Sequence, residues 1–311
     1  MQNNFDAFIA ELGSRVLVNV PLAPRTTFRI GGPADFLAEA RAISELVEVV
    51  QVARRFNVPV FILGNGSNLL VRDSGIRGLV IENHCDQYFL QVTEHGRAKL
   101  HVESGAALPN IANRMARQGW SGLEWAIGIP GTVGGAIVGN AGAHGSCIAD
   151  NVLTVSILDE NNVTYELPKT DLAFDYRTSR FKQTKNEILL SADFELVRGD
   201  PQTCITRMNE FTEKRRGTQP TDASVGSMFK NPPDDPSTSL RARYAGQLIE
   251  QAGLKGTRIG NVEVSQVHAN FFVNRGGATA NDVMQLIDLV RARVREKFNV
   301  ELELEIEIVG R

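Results

Sequence analysis

Cysteine is scarce in this sequence, and the three that occur, Cys85, Cys147 and Cys204, are far apart and form no CxxC pair. Such a set excludes a disulfide framework and a cysteine-based metal centre. Histidine is nearly as sparse. The five residues show no HExxH-type spacing, so no metal is expected. Long apolar runs are missing as well. No stretch approaches the ~18 apolar residues of a membrane span. The opening segment MQNNFDAFIAELGSRV carries early acids and no apolar h-region of a secretory signal. A cytoplasmic chain with no membrane partner is expected. A strong basic balance is also lacking: the formal net charge is −3, which leaves no overall field to attract nucleic acid.

What is present suits a globular chain long enough, at 311 residues, for two or three domains. Ile43, Leu46, Val47 and Val50 follow helical spacing, with Ser44 as the expected N-cap and Asn57 and Pro59 as the stop. The apolar run Val60 to Leu63 reads as a buried strand, which completes a βαβ-like unit in residues 1–82. The pattern changes to short strands at GLVIE (78–82), and in residues 83–199 further strands (YFLQV, KLHVES, 151–167, 187–197) surround a helix at Leu108 to Met115 and a glycine-rich segment. A third region, 200–311, opens with a helix marked by Ile205, Met208 and Phe211. A polar, proline-containing stretch from Gly217 to Ser239 is too long for an ordinary connector. A helix at Ala245 to Ala252 follows. The clearest helix starts at Asn281, with Val283, Leu286, Ile287, Val290 and Val294 on one stripe. The chain closes on an alternating strand, with Val300, Leu302, Leu304, Ile306 and Ile308 on one face.

Two segments stand out chemically. In LGNGSNLL, 63–70, Gly64 and Gly66 allow close backbone approach to a pyrophosphate, and Asn65, Ser67, Asn68 and Leu69 complete the loop. No GK[ST] follows, so it is not a P-loop, and no third glycine makes it a Rossmann fingerprint. On residues alone it reads equally as a tight turn between strands. GIPGTVGGAIVGNAGAHG, 128–145, concentrates seven glycines. That density is costly in backbone entropy unless something must come close to the main chain. A close-packed structural loop is the other reading. A membrane GxxxG face fails because the apolar run is too short.

RTTFRIGGPAD (25–35), GNGSNLLVRDSGIRGLVI (64–81) and GLEWAIGIPGTVGGAIVGNAGAHG (122–145) recur in order and resemble the signatures of the UDP-N-acetylenolpyruvoylglucosamine reductase (MurB) family. The resemblance extends from about residue 20 to the C-terminus. It implies an α+β fold: a flavin-binding domain of the vanillyl-alcohol-oxidase (PCMH) type, made of two α/β subdomains, plus a C-terminal α+β substrate domain. It implies non-covalent FAD, NADPH as reductant and UDP-N-acetylenolpyruvoylglucosamine as substrate. The enzyme would act in peptidoglycan precursor synthesis, with a monomer expected and an oligomer left open. The cofactor residues implied are Gly64, Asn65, Gly66, Ser67, Asn68, Leu69, Gly128, Ile129, Pro130, Gly131, Gly134, Gly135, Asn140, Ala141 and Gly142.

Three further matches carry the chemistry that the resemblance implies. In FDYRTSRFK, 174–182, Arg177 would stabilise the substrate carboxylate, which suits a planar guanidinium, and Tyr176 would contact substrate. Without the match, Arg177 reads as a surface or ion-pair arginine. In GSMFKNP, 226–232, Ser227 would protonate C2, with Lys230 stabilising the alkoxide, and Lys230 and Asn231 touching substrate. A turn serine is the plain alternative. In FNVELELEIEIVGR, 298–311, Glu305 matches the catalytic glutamate. In a regular strand Glu301, Glu303, Glu305 and Glu307 share a face, roughly 7 Å apart at i and i+2. That face is either solvated or, if it lines a site, crowded enough to favour a protonated member. Glu307 departs from the family, which often has arginine there. His268, in VSQVHANFFVN, is either a nucleotide-sugar contact or structural. The interval between Tyr176 and Ser227 is too short for the tyrosine-bearing lid of the family's longer form. Another flavin oxidoreductase of the same fold, with His144 as the residue to check for covalent attachment, and a non-catalytic nucleotide-sugar-binding relic remain alternatives.

Overall fold

The computed structural model describes residues 2–184, 186–233 and 244–311. Two compact units emerge. Met1–Leu17, Phe36–Asn65 and Gly78–Arg215 form the first; Val18–Asp35, Gly66–Arg77 and Arg216–Arg311 form the second. The expected boundaries at 82 and 199 coincide with none of these ends. Apolar burial explains why. Cys204 and Met208, beyond 199, pack with Ala116 of the first unit, whereas Phe28, Ile30 and Leu70 belong to the second unit's core.

The chain opens with α1 (Gln2–Leu12), β1 (Val16–Pro21), β2 (Pro33–Ala40) and α2 (Ile43–Arg55), followed by β3 (Val60–Leu63), β4 (Leu69–Val71) and β5 (Ile76–Asn83). A four-stranded sheet has the order β1-β2-β5-β3, with β3 and β5 parallel. Helix α2 buries Leu46, Val49, Val50 and Ala53, the i, i+3, i+4, i+7 stripe of an amphipathic helix. Its N-cap is Ala42 rather than Ser44, which lies inside the first turn. The Glu45 carboxylate reaches back to accept the Arg41 N–H at 2.8 Å. Asn57, left-handed at φ 57°, ends the helix before Pro59.

Next come β6 (Tyr88–Val92), β7 (Arg97–Glu103), α3 (Leu108–Arg117), β8 (Trp120–Ser121) and α4 (Val133–Val138). A hairpin of β9 (Gly142–Ala143) and β10 (Ser146–Cys147) leads into α5 (Ile148–Asn151). Then β11 (Val152–Leu158), β12 (Thr164–Pro168), β13 (Ile188–Arg198) and α6 (Pro201–Thr218) complete this part. An antiparallel sheet runs β12-β11-β13-β7-β6, with β8 on the end of β13. Ala98, Leu100 and Val102 of β7 enter the core with α3 and α4, as strand alternation requires.

The second unit ends the chain with β14 (Ser224–Ser227), α7 (Ala245–Gln251), β15 (Arg258–Ile259), β16 (Val262–Val264), β17 (Phe271–Asn274), α8 (Ala280–Phe298) and β18 (Glu307–Val309). Its sheet has the order β14-β17-β16-β15. The Gly217–Ser239 stretch is not a continuous loop, because α6 reaches Thr218 and β14 follows; from 234 it lies outside the described residues. The last strand is shorter than the alternation suggests. Residues 301–306 form no regular strand, and 305–306 bend. Both units mix helix and strand, the α+β class. Among the described residues, no helix is long and apolar enough to cross a membrane.

Helix α8 fastens this unit. Val283, Leu286, Ile287, Val290 and Val294 are fully buried along it. Its start is a reciprocal cap: the Thr279 hydroxyl accepts the Asp282 N–H at 3.1 Å, and Asp282 accepts the Thr279 N–H at 3.0 Å. Removing the Leu286 side chain deletes core contact and leaves a cavity, whereas removing the Thr279 hydroxyl loses one cap. Leu286→Ala should therefore cost about 2–5 kcal/mol and Thr279→Ala about 1 kcal/mol in denaturant unfolding. The reverse ranking would contradict this division of stability.

Candidate active site

In the first unit the glycine-rich segment is built against its neighbours at very short range. Gly64 touches Thr132: a Cβ on Gly64 would lie 2.6 Å from the threonine hydroxyl. The two segments singled out in the sequence thus meet here. Thr132 also caps α4 by accepting the Gly135 N–H at 3.3 Å. Several amides nominated for a cofactor already have protein acceptors. Gly131 N–H donates to the Ile129 carbonyl, Gly134 N–H to that of Ser104 and Ala141 N–H to that of Ala136. Ile129 and Ala141 side chains pack on the core. Part of the glycine density therefore serves close packing. A bare-backbone face remains at Gly135 and Gly139, where an added Cβ would meet one atom each, at 3.5 and 3.6 Å.

Asn140 is 6% exposed. Its Nδ2 donates to the Asp175 carbonyl at 2.9 Å, and its Oδ1 accepts the Ala149 N–H at 3.1 Å. It thereby joins the glycine-rich segment to the segment that carries Tyr176 and Arg177. Ser179 adds a second link, its hydroxyl donating to the Val138 carbonyl at 2.8 Å. Arg177 takes φ 56°, a left-handed conformation that a residue with a Cβ seldom adopts. Its guanidinium carbon sits 5.4 Å from the Tyr176 ring centroid, and Tyr176 is 49% exposed. Arg177 Nη1 lies 3.3 Å from where a Cβ on Gly142 would stand. The arginine and the glycine-rich segment are immediate neighbours.

Helix α6 brings groups that the sequence reading did not nominate. Arg215 packs its stem on Gly128, where a Cβ would lie 2.5 Å from Arg215 Cδ. Burial lowers the Arg215 pKa from its usual value. Phe211 stacks on His144 at 4.1 Å between ring centroids. Burial, then the charges of Lys214 and Arg215, hold the His144 pKa below the histidine range. The sequence signal was the KRR run at 214–216, which reads as a solvated helix end until the helix is placed. Arg177 beside Gly142, Arg215 against Gly128, and Lys214 and Arg215 near His144 give the glycine-rich segment positive charge along its length, which suits an anionic dinucleotide such as FAD.

In the second unit, Gly66 takes φ 58°. Its carbonyl accepts the Thr27 N–H at 3.1 Å, and the Thr27 hydroxyl also donates to the Ser224 carbonyl at 2.8 Å. Ser227 ends β14, opposite Phe271. A register shift between Ser224 and Ser227, with Gly226 at φ 84°, bends the strand as a bulge does and re-aims its side chains. Asn270, 4% exposed, grips Phe229, two residues beyond Ser227: its Oδ1 accepts the Phe229 N–H at 3.0 Å and its Nδ2 donates to the Phe229 carbonyl at 2.8 Å.

The C-terminal segment lies between this strand end and the 66–69 loop. Lys230 N–H donates to the Glu303 carbonyl at 2.8 Å, and Glu305 N–H to the Met228 carbonyl at 3.0 Å. Phe229 and Leu304 form an antiparallel bridge. Asn68 Nδ2 then donates to the Glu305 carbonyl at 3.2 Å, and Glu307 N–H to the Asn68 carbonyl at 2.9 Å. From there β18 runs parallel to β4, Glu307 opposite Leu69. Changing from an antiparallel to a parallel partner requires the bend at 305–306, which is why the regular strand fails. The expected acidic ladder fails with it. Glu301 pairs with Arg295 at 2.8 Å and Glu303 with Lys230 at 3.4 Å, so four crowded carboxylates are not formed.

The unit therefore gathers Gly66, Ser67, Asn68 and Leu69 with Glu305, and Glu305 with the residues that follow Ser227. Lys230 holds an ion pair with an acid that is 77% exposed, an interaction worth about 0–1 kcal/mol. Asn231 is committed to helix α7, its Oδ1 accepting the Ala245 N–H at 3.1 Å. His268 packs over Gly246 of α7, accepts the Asn270 N–H on Nδ1 at 3.2 Å and meets the Phe271 ring edge-on. These contacts fix the orientation of its ring. Arg177 and Ser227 belong to different units, and each is placed here by its own unit's contacts.

Comparison with known proteins agrees across nearly the whole chain. A model of an FAD binding domain matches residues 34–167, and one of the UDP-N-acetylenolpyruvoylglucosamine reductase C-terminal domain matches 219–309. The UDP-N-acetylenolpyruvoylglucosamine reductase of Anoxybacillus flavithermus is 43% identical over 296 residues, 94% of each chain. That of Rubrobacter xylanophilus is 45% identical over 290 residues, 93% of this chain and 94% of its own. A crystal structure of the Thermus caldophilus enzyme superimposes with a TM-score of 0.77 at 35% identity, covering 95% of this chain and 98% of that one.

His268 also makes a pH prediction. Burial, then Lys255, lower its pKa in the folded protein. An unfolded histidine takes its proton near 6.5, roughly. Below that value the unfolded state binds more protons, so stability falls as pH drops toward the lowered folded value. His268→Asn keeps an acceptor for the Asn270 N–H but does not titrate. Denaturant unfolding between about pH 7 and 5 should show a shallower loss of stability in the variant. An unchanged slope would contradict the buried neutral ring.

Proposed function

The chain belongs to the UDP-N-acetylenolpyruvoylglucosamine reductase family, and from that premise we propose that it reduces UDP-N-acetylenolpyruvoylglucosamine to UDP-N-acetylmuramate, with FAD as cofactor and NADPH as reductant. It would act in the cytoplasm, as a monomer, in peptidoglycan precursor synthesis. Residues 1–82 and 83–199 would hold FAD, and 200–311 the substrate. Gly64 to Leu69 and the glycine-rich segment would hold the dinucleotide through close backbone approach, with Arg177, Lys214 and Arg215 offsetting its charge. Bound FAD supplies hydride, taken from NADPH, for C3 of the enolpyruvyl group.

The remaining chemistry falls to side chains. Hydride addition at C3 pushes negative charge into the substrate carboxylate, and stabilising that charge where it develops is the large electrostatic contribution. Arg177 would stabilise it as a fixed cation. Glu305 would assist as an acid at the same carboxylate. Ser227 would deliver the proton to C2, which completes the product. Tyr176, Lys230, Asn231 and His268 would line the substrate's path; for Asn231 and His268 their structural contacts limit them to a supporting part. The observation that carries the reading is the backbone pairing of Met228 with Glu305, which keeps the segments bearing the proton donor and the acid in register.

Ser227→Ala tests it. The variant should bind FAD and be reduced by NADPH at the parental rate, while reoxidation by UDP-N-acetylenolpyruvoylglucosamine slows by about 10²–10⁴-fold, the range for losing a positioned proton donor. Glu305→Gln should likewise slow the second half-reaction more than the first. Stopped-flow flavin absorbance separates the two halves. Normal reoxidation in Ser227→Ala would remove the serine from the mechanism.

A further inference from the structure

Arg177 occupies a backbone conformation that it would not hold by itself. Left-handed φ values in residues with a Cβ persist only where the surroundings over-determine them. The surroundings here are specific. Asp175 and Thr178 exchange two backbone hydrogen bonds, each 3.2 Å, and close a turn with Tyr176 and Arg177 between them. The Tyr176 N–H is held by Asp175 Oδ1 at 2.7 Å. The turn is anchored to the rest of the unit at the Asp175 carbonyl, by Asn140 Nδ2.

We infer that Asn140 is a positioning residue for Arg177: its buried carboxamide bolts the 175–178 turn to the glycine-rich segment and so fixes the guanidinium beside Gly142. The inference rests on Arg177 acting at the substrate carboxylate, as proposed above. It changes the expected role of Asn140, since both ends of the amide have protein partners, Asp175 on one side and Ala149 on the other. The residue type follows from these demands. Asn140 itself takes φ 41°, which asparagine tolerates better than most residues. The site needs one donor and one acceptor on a short planar group, and asparagine supplies both. Aspartate matches it in shape and accepts the Ala149 N–H, but sets a carboxylate oxygen against the Asp175 carbonyl. Glycine keeps the left-handed backbone and makes neither bond.

Asn140→Asp isolates the donor. The holoenzyme should keep its FAD affinity, measured by flavin fluorescence on titrating apoprotein, and its rate of reduction by NADPH. Reoxidation by UDP-N-acetylenolpyruvoylglucosamine should slow by about 10²-fold, the scale of a misplaced catalytic group. In the apoprotein, hydrogen exchange at the Thr178 amide should quicken. Because Asn140 acts through Arg177, the double variant Asn140→Asp/Arg177→Ala should be no slower than Arg177→Ala alone. Asn140→Gly gives the same readings should the aspartate variant not fold. Three results overturn the inference while leaving the role of Arg177 intact: parental reoxidation in both Asn140 variants, losses that multiply in the double variant, or an FAD affinity that falls in step with reoxidation, which makes Asn140 a cofactor contact. If Arg177→Ala itself reoxidises at the parental rate, the reading of Arg177 fails, and this inference with it.

Discussion

A short chain of hydrogen bonds from Met228 through Glu305 to Asn68 organises the second unit. Glu305 donates its N–H to the Met228 carbonyl, and its own carbonyl accepts from Asn68 Nδ2, so both main-chain polar groups of one residue in the C-terminal segment are held. Its side chain inherits that placement without depending on a flexible loop. The bend at 305–306 follows from the same constraint, since one segment has to satisfy an antiparallel partner and then a parallel one. Helix α8 and the buried Asn270 keep the partner segments in place. A site built on such secondary-structure contacts is more exact than one on a free loop.

The first unit reaches a similar end with glycine. Removing β-carbons lets Gly64 meet Thr132 and lets Gly142 meet Arg177. Much of the 128–145 segment is thereby spent on packing against the connection between β7 and α3 and against the Arg177 turn. A structural loop and a cofactor cradle are not rival descriptions of it. The same segment leaves bare backbone at Gly135 and Gly139 and has Arg215 at Gly128 and Arg177 at Gly142. An anionic dinucleotide needs that combination of close approach and positive charge.

Periodicity disclosed the helices and central strands because they bury one face in one core. The stripe from Val283 to Val294 and the run Val60 to Leu63 are of that kind. It failed where a segment serves two partners. Alternation at 300–308 suggested one strand, but the change of partner at Glu305 is a tertiary event with no local signature. Ser44 looked like a cap because its hydroxyl suits one, whereas Glu45 supplies the hydrogen bond. The motif residues were legible as chemistry-bearing types; their partners were not. Nothing in NAGAHG says that Asn140 will hold the carbonyl of Asp175, and the KRR run gives no hint that Arg215 will lie on Gly128. The unit boundaries were hidden for the same reason, since residues 18–35 join the C-terminal core through Phe28 and Ile30.

The central claim is that one bound flavin passes reducing equivalents from NADPH to an enolpyruvyl nucleotide sugar. An anaerobic single turnover tests it most directly. Purified holoenzyme, reduced by one equivalent of NADPH, is mixed with one equivalent of UDP-N-acetylenolpyruvoylglucosamine, and the visible flavin band and the product are followed together. The account predicts that the band bleaches with NADPH, returns fully with the nucleotide sugar, and does so with one UDP-N-acetylmuramate formed per flavin. A protein that binds no flavin, or a reduced flavin that the nucleotide sugar does not reoxidise, would contradict it.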